Sequence, residues 1–379
     1  MALLHYRDDA GIGGSLRVGQ AIGNHLDPDR IEAHFVFAYG GPGPVTATSR
    51  IPVHFVNATG AGDLAGWNRL RRLIRDLQPS VLHYVDPVFW MNVALCDWRG
   101  PRIGHLHGPL PERIQGFRDR LTIGTFRVSM TCNVCVSKDL ETRAIKIGAA
   151  KRNAVRTIYN TIDCARFRQL PESSAAREQL GLPRDACILG MICRLVPEKG
   201  CRDGIRLLKY LPADFHLMIC GTGVLRDGLK RDAAENGLQA RVHFLEPRDS
   251  VLPIYAAIDN LLFLSRTEPF GLVLAEAMAS GIPIVGLAGE GGYSDPEFPL
   301  ITQDNARLIR PNQPISANEP ALDAVLAQLA ETIVDLRNCP EARNTMIANG
   351  REWVEERFDV DRQAGEMAVL YESVLHETK

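Results

Sequence analysis

Along this chain, short apolar runs alternate with longer segments whose apolar positions recur every three to four residues. Runs at 2–6, 34–38, 53–56, 81–85, 103–107, 131–136 and 155–158 predict strands, and segments at 15–25, 64–77, 91–98 and 138–147 predict helices. Strands alternating with helices predict a parallel sheet covered on both faces. The stretch 160–185 is poor in apolar periodicity and reads as a linker. The alternation then restarts, with strands at 187–193, 216–220, 242–244, 260–264 and 284–286 and helices at 202–211, 225–236, 251–258 and 271–280. Residues 321–376 keep a helical period almost throughout, with Leu322, Val325, Leu326, Leu329, Ile333 and Leu336 on one face. The expected fold is α/β, two doubly wound Rossmann-like domains facing across a cleft. In such sheets ligands sit outside the carboxyl ends of the strands, so the chemistry is to be sought there.

Composition changes this picture little. The 379 residues are 45% hydrophobic and 23% charged, the profile of a globular chain, and the formal net charge of −2 gives no overall commitment to nucleic acid. The balance is uneven, however: +8 through Arg168 and −10 after it. The first half is thus the one suited to an anionic partner or surface. Nine cysteines scattered through apolar stretches argue against a disulfide framework and for a reducing compartment. Cys132 and Cys135 form a lone CxxC within 128–136, which alternates like a strand, so buried core thiols are expected there rather than a metal site. The short apolar opening has no cationic region before it, and 271–289 is interrupted by Glu276 and Pro283, so neither a signal peptide nor a membrane span is expected.

The candidate chemistry gathers just past predicted strands. Arg266-Thr-Glu-Pro-Phe-Gly-Leu-Val-Leu-Ala-Glu276 leads from a strand into a helix, with Glu268 in the loop and Glu276 more than one turn into the helix. The first N–H groups of a helix lack intrahelical partners and suit a phosphate. Arg194 and Lys199 follow another strand, a fork and a point charge that both suit a diphosphate. Gly221 and Gly223 end a third strand and permit a tight turn beside a ligand. In the first half, Gly11-Ile-Gly-Gly-Ser15 joins the first strand to the first helix. Its spacing is not GxGxxG and no acidic residue ends the second strand, which disfavours a dehydrogenase. His105-Leu-His107-Gly108 closes a first-half strand; the two histidines are expected on opposite sides, one toward the ligand and one packed.

This constellation resembles the retaining GT-B glycosyltransferases of glycosyltransferase family four, whose E-x7-E element matches Glu268 and Glu276. Arg194, Lys199-Gly200, Gly221-Thr-Gly223, Asp259, the run from Met278 to Val285 and Gly291-Gly292 fall in the same order. The first half matches more loosely, through Gly13-Gly14, His107-Gly108, Val136-Ser137 and the run from Tyr159 to Asp163. The resemblance implies an acceptor-binding domain at 1–165, a donor-binding domain at 166–360, and a last helix at 361–379 packing back on the first domain. It implies that Arg194 and Lys199 neutralise the leaving diphosphate and that Glu268 binds hydroxyls of the donor sugar. Phe270, Gly271 and Leu272 would approach sugar and phosphate through their backbones, Glu276 would hold the ribose, Gly13 and Gly14 would touch the phosphates, and His107 would sit near the transferred sugar. No cofactor and no metal are implied, the donor being a UDP-sugar or else a GDP- or ADP-sugar. Asp8 and Asp9 are adjacent and form no DxD. Two positions depart from the family pattern: Thr161 stands where Gly usually follows Asn160, and Asp295 where Glu often follows the paired glycines.

A glycan, glycolipid or small molecule is the expected acceptor. Arg69, Arg71, Arg72 and Arg75 surround the apolar face of one helix, and Arg113, Arg118, Arg120 and Arg127 lie near Phe117 and Phe126. These clusters suggest peripheral contact with anionic lipid or an anionic glycan, and a cytoplasmic protein at the inner membrane face. A sugar-nucleotide epimerase, a phosphorylase and a catalytically silent sugar-nucleotide binder are the competing readings. The ordered E-x7-E with Arg194 and Lys199 favours transfer.

Overall fold

A computed structural model describes residues 1–7, 14–86, 89–108, 110, 116–248, 250–295, 298–310 and 320–377. The chain divides into two compact units, Met1–Ile162 with Phe358–Lys379, and Asp163–Arg357.

The first unit holds β1 (Ala2–Arg7), β2 (His34–Tyr39), β3 (Val53–Phe55), β4 (Leu82–Val85), β5 (Arg102–Leu106), β6 (Cys132–Cys135) and β7 (Val155–Thr157). They form one parallel sheet in the order β3-β2-β1-β4-β5-β6-β7. Register pairs Leu4 with Val36 on one side and Tyr84 on the other. Leu3, Leu4, Phe35, Val36 and Leu82 are all fully buried, as strands covered on both faces require. Chain order reverses between β1 and β4, which makes their carboxyl ends the crevice of this sheet.

Several helices start at a short polar side chain that caps them. The Asp63 carboxylate accepts the Gly66 N–H at 2.8 Å at the head of Leu64–Leu77. The helix Phe117–Ser129 was not among the expected elements. The alternation read from residue 128 is its last turn: Val128 is helical and 78% exposed, and the strand begins only at Cys132. Cys132 and Cys135 are buried free thiols. The helix Val360–Glu377 packs on Gly14–His25. Its Gln363 donates to the Tyr159 carbonyl and accepts from the Thr161 hydroxyl at 2.7 Å, so Thr161 is locked rather than free.

The second unit holds β8 (Cys187–Ile192), β9 (Phe215–Cys220), β10 (Val242–Leu245), β11 (Asn260–Phe263), β12 (Thr267–Glu268), β13 (Ile284–Leu287), β14 (Glu290–Gly291) and β15 (Arg307–Ile309). Its main sheet runs β10-β9-β8-β11-β13-β15, all parallel, and β12 pairs with β14 apart from it. The expected linker at 160–185 is corrected here. It carries the helices Cys164–Phe167 and Ser173–Leu180, capped by Asp163 and by Gly181 at φ 67°. Both are too short to display a period, yet Ala176 and Leu180 are buried. Leu322, Leu326, Leu329 and Ile333 of the helix Pro320–Asn338 join the core around Leu189, Leu217 and Leu262.

At the amino end of this sheet, Asp259 Oδ2 accepts the Ile188 N–H and an Arg177 N–H, both at 2.7 Å. Arg177 also donates to the carbonyls of Ala257, Arg184 and Ala186. Asp259 is therefore a clasp for the strand starts, at the end opposite the glycine loops. Among the described residues, no helix is long and apolar enough to cross a membrane.

Candidate functional site

Chain order in the second sheet reverses between β8 and β11, so their carboxyl ends flank the crevice where such sheets take ligands. The loop after β8 carries Arg194 and Lys199, and the loop after β11 carries Glu268 and Gly271. Lys199 is buried and its ammonium pairs directly with the Glu268 carboxylate. Arg194 is about half exposed, with its guanidinium 3.9 Å from Glu198. A compact cation and a fork thus sit on one strand end, with a carboxylate from the neighbouring strand already turned toward the lysine.

Glycine makes these loops possible. Gly221 and Gly223, at φ 153° and 155°, follow β9 beside β8. A Cβ on Gly221 would lie 1.9 Å from the Cys193 oxygen, and one on Gly223 would lie 2.4 Å from the Leu195 oxygen. Gly271, at φ 93°, opens the nine-residue helix Leu272–Ser280 in a conformation few other residues adopt. Its N-terminus, where Phe270 is buried and Leu272 is the first helical residue, faces the same strand ends. Glu276 lies on that helix and its Oε2 accepts the hydroxyl of buried Tyr255 at 2.6 Å. Tyr255 belongs to the helix Leu252–Ala257 and fixes the carboxylate from the side.

Two supports were not foreseen. Arg266 binds across to the first loop: its backbone N–H donates to the Glu198 backbone carbonyl at 2.8 Å and its guanidinium to the Asp203 carboxylate at 2.9 Å. Burial pushes the Asp203 carboxyl up, and Arg266 opposes the shift. The β12–β14 pair holds Glu268 against Gly291, where a Cβ would lie 1.9 Å from the Glu268 oxygen. Asp295 follows this pair and is buried. Paired residues two apart, Gly289 and Gly291, were the available signal for such a close approach.

In the first unit, His107 follows β5. The expectation that His105 and His107 face opposite sides is overturned: their ring centroids are 3.9 Å apart. Positions two apart in a strand share a face. His105 Nδ1 lies 3.2 Å from His83 Nε2, and His83 Nδ1 lies 2.8 Å from the Tyr371 hydroxyl of the last helix. Burial, then the neighbouring His5, lowers the His107 pKa to about 3, with Asn160 opposing. His83 is lowered to about 3 by burial, then by His107. Asp86, at the end of β4, holds a left-handed φ of 64° that a residue before proline rarely takes. Its carboxyl is pushed up by burial, with Ser15, His5 and the His107 N–H opposing. No sequence motif announces Asp86; only the strand order, which sets β4 beside β1, brings it forward. Gly14 opens the helix Gly14–His25. Gly13, Asp8, Asp9 and Arg113 lie outside the described residues, as do the side chains of Phe117 and Arg118.

The basic residues divide on inspection. Arg69 donates to the Val56 and Asn57 carbonyls and Arg71 to the Ala94 carbonyl, so both fasten the helix Leu64–Leu77 to its surroundings. Arg72, Arg75, Arg120 and Arg127 are exposed.

Two parallel α/β units, each with its strand order reversing at a crevice, define the GT-B class of fold. The Anabaena protein HepE, solved with UDP and glucose, matches with a TM-score of 0.79 at 22% identity over 98% of this chain and 100% of that one. WaaG, a glycosyltransferase involved in lipopolysaccharide biosynthesis, matches with a TM-score of 0.72 at 16% identity over 98% and 99%. A model of glycosyltransferase family four matches residues 12–166, and one of the group 1 glycosyl transferases matches residues 172–353. The chain belongs to the GT-B glycosyltransferases of the family-four type. Among its relatives is the 2-deoxystreptamine glucosyltransferase of Streptomyces kanamyceticus, 28% identical over 61% of this chain and 57% of the relative. The lipopolysaccharide core biosynthesis glycosyltransferase LpsE of Rhizobium meliloti is 29% identical over 59% and 60%. The chain therefore matches somewhat over half the length of these relatives.

Proposed function

We propose that this protein is a retaining glycosyltransferase. It moves a sugar from a nucleoside-diphosphate sugar to a glycan, glycolipid or small-molecule acceptor, without a metal. The observation that carries the reading is the Lys199–Glu268 pair at the reversal of strand order, beside Arg194 and the Gly271 helix end. Donor binding would part that pair. Lys199 and Arg194 would take the diphosphate, and Glu268 would turn to hydroxyls of the sugar. Glu276, held by Tyr255, would take the ribose. As the leaving group departs, negative charge grows on the diphosphate, where two fixed cations and unpaired helix N–H groups stabilise it. The released phosphate then serves as base for the acceptor on the same face, which retains the anomeric configuration.

A UDP-sugar is the first donor to test, since HepE was solved with UDP and with UDP-glucose and the S. kanamyceticus relative is a glucosyltransferase. The first unit would bind the acceptor. The account expects the Arg194→Ala, Lys199→Ala double variant to lose at least ~100-fold in kcat, the scale of a lost charge-stabilising group. Proton NMR of the product should show the donor's anomeric configuration. An inverted product, or an undiminished kcat, removes this reading.

The same unit carries a surface suited to anionic lipid. Leu64, Trp90, Val93, Leu121 and Val128 are exposed on three helices that pack in turn, Leu64–Leu77, Phe89–Ala94 and Phe117–Ser129. Exposed Arg72 and Arg75 lie on the first of these helices, and exposed Arg120 and Arg127 on the third. Exposed apolar and cationic side chains on the same helices support a reading of peripheral contact at the inner membrane face and a glycolipid acceptor. The protein should sediment with anionic vesicles at low salt and release at high salt; absence of binding at low salt rules the contact out.

A further inference from the structure

The mechanism above leaves two thiols unused, and they bracket its cations. Cys193 directly precedes Arg194, and Cys201 directly follows Gly200. Their sulfurs lie 3.5 Å apart. Cys201 is buried in the first turn of the helix Cys201–Leu207, whereas Cys193 is partly exposed and gives a small oxidant its approach. We propose that Cys193 and Cys201 form a reversible thiol–disulfide switch that reshapes the Arg194–Lys199 loop. The inference rests on the donor reading of that loop for its consequence, though not for its chemistry.

The backbone decides where the movement goes. A disulfide requires the sulfurs to close to about 2.05 Å. Cys193 has little room to shift, because its carbonyl oxygen lies against Gly221, where an added Cβ would be only 1.9 Å away. Gly200, next to Cys201, is pressed as closely on the Leu264 oxygen, at 2.5 Å from an added Cβ. Gly200 is already at φ 68° as it turns from one helix into the next. Closing the sulfurs therefore strains the loop 194–199 that joins them, which includes both diphosphate cations and the lysine paired with Glu268.

The chemistry balances with hydrogen peroxide as the oxidant. The Cys193 thiolate attacks one peroxide oxygen, the O–O bond breaks, and a sulfenic acid and hydroxide form; the hydroxide takes a proton to become water. Cys201 sulfur then attacks the sulfenic sulfur, the S–O bond breaks, and the departing hydroxide takes the Cys201 proton. Two thiols and one peroxide give one disulfide and two waters. The two sulfurs share one hydrogen bond, so the S–H of one stabilises the thiolate of the other. A dithiol reductant reverses the change.

The test uses the full chain, treated with peroxide and then with dithiothreitol. Peptide mapping after alkylation should find a 193–201 cross-link that the reductant removes. Amide hydrogen exchange across 194–200 should change with it, and UDP affinity should fall at least tenfold and recover. Cys193→Ser and Cys201→Ser should each bind UDP as the native protein does and ignore peroxide. Oxidation of exposed Cys96 and Cys339 without a 193–201 cross-link would overturn the proposal. A cross-link that leaves both loop exchange and UDP binding unchanged would overturn it equally. Failure of the reduced protein to bind UDP would instead count against the donor reading, and cross-link and loop exchange would still decide the switch.

Discussion

At the scale of residues, the site depends as much on absent side chains as on charged ones. Lys199, Arg194, Glu268 and Glu276 are legible in the sequence because their types and spacing suit a diphosphate sugar. What holds Glu268 in place is less visible. Its backbone lies against Gly291 in a two-residue parallel pair, too short to leave a periodic trace. Gly291 also holds φ 136°. Gly291→Ala therefore meets steric overlap and an unfavourable backbone at once, and should cost on the order of 2 kcal/mol in chemical denaturation. It should also weaken donor binding more than Gly41→Ala, where an added Cβ meets nothing within 4 Å. Equal behaviour of the two variants would show that the pair does not position Glu268. Asp86 is the converse case. It carries no motif, and only the strand order that brings β4 beside β1 makes it a candidate.

At the scale of elements, the histidines of the first unit link strands to the last helix. His83 on β4 and His105 on β5 are fully buried, and Tyr371 of Val360–Glu377 closes their hydrogen-bonded row. Burial depresses the His83 and His107 pKa values to about 3 and lowers His105 well below its ordinary value. The unfolded chain, with ordinary imidazoles near pH 6.5, binds more protons through this interval. Stability is then fully present above pH 6.5 and is lost as pH falls toward 3. His83 and His107 should each cost ~2 kcal/mol between pH 7 and pH 5. Denaturation midpoints measured across that range should fall for the native protein and fall less for His83→Gln. Parallel pH profiles for the two would contradict the assignment of this acid sensitivity to the buried row. The sequence pattern placed these strands correctly but put the two histidines on opposite sides, an error of strand geometry rather than of missing information. Elements without a clean period were the ones misread: the short helices after Ile162 looked like a linker, and the amphipathic trace of Phe117–Ser129 was hidden by its exposed Val128.

At the scale of the whole molecule, the alternation of strands and helices, restarting once, was enough to specify two parallel α/β units. Strand order was not readable from it, and strand order is what converts scattered motifs into a site. Only with β8 next to β11 do Lys199 and Glu268, 69 positions apart, come into contact. Asp259 shows the limit of motif order alone: it belongs to the same run of matches, yet it clasps the amino end of the sheet. The central claim is that the second unit takes a nucleoside-diphosphate sugar through Arg194, Lys199, Glu268 and Glu276. Calorimetric titration of the reduced protein with UDP-, GDP- and ADP-glucose tests it most directly. Saturable binding of at least one of them is expected, lost in Glu276→Ala and weakened at least tenfold in Lys199→Ala. Absence of binding by all three to the native protein, or binding that both variants retain unchanged, would contradict it.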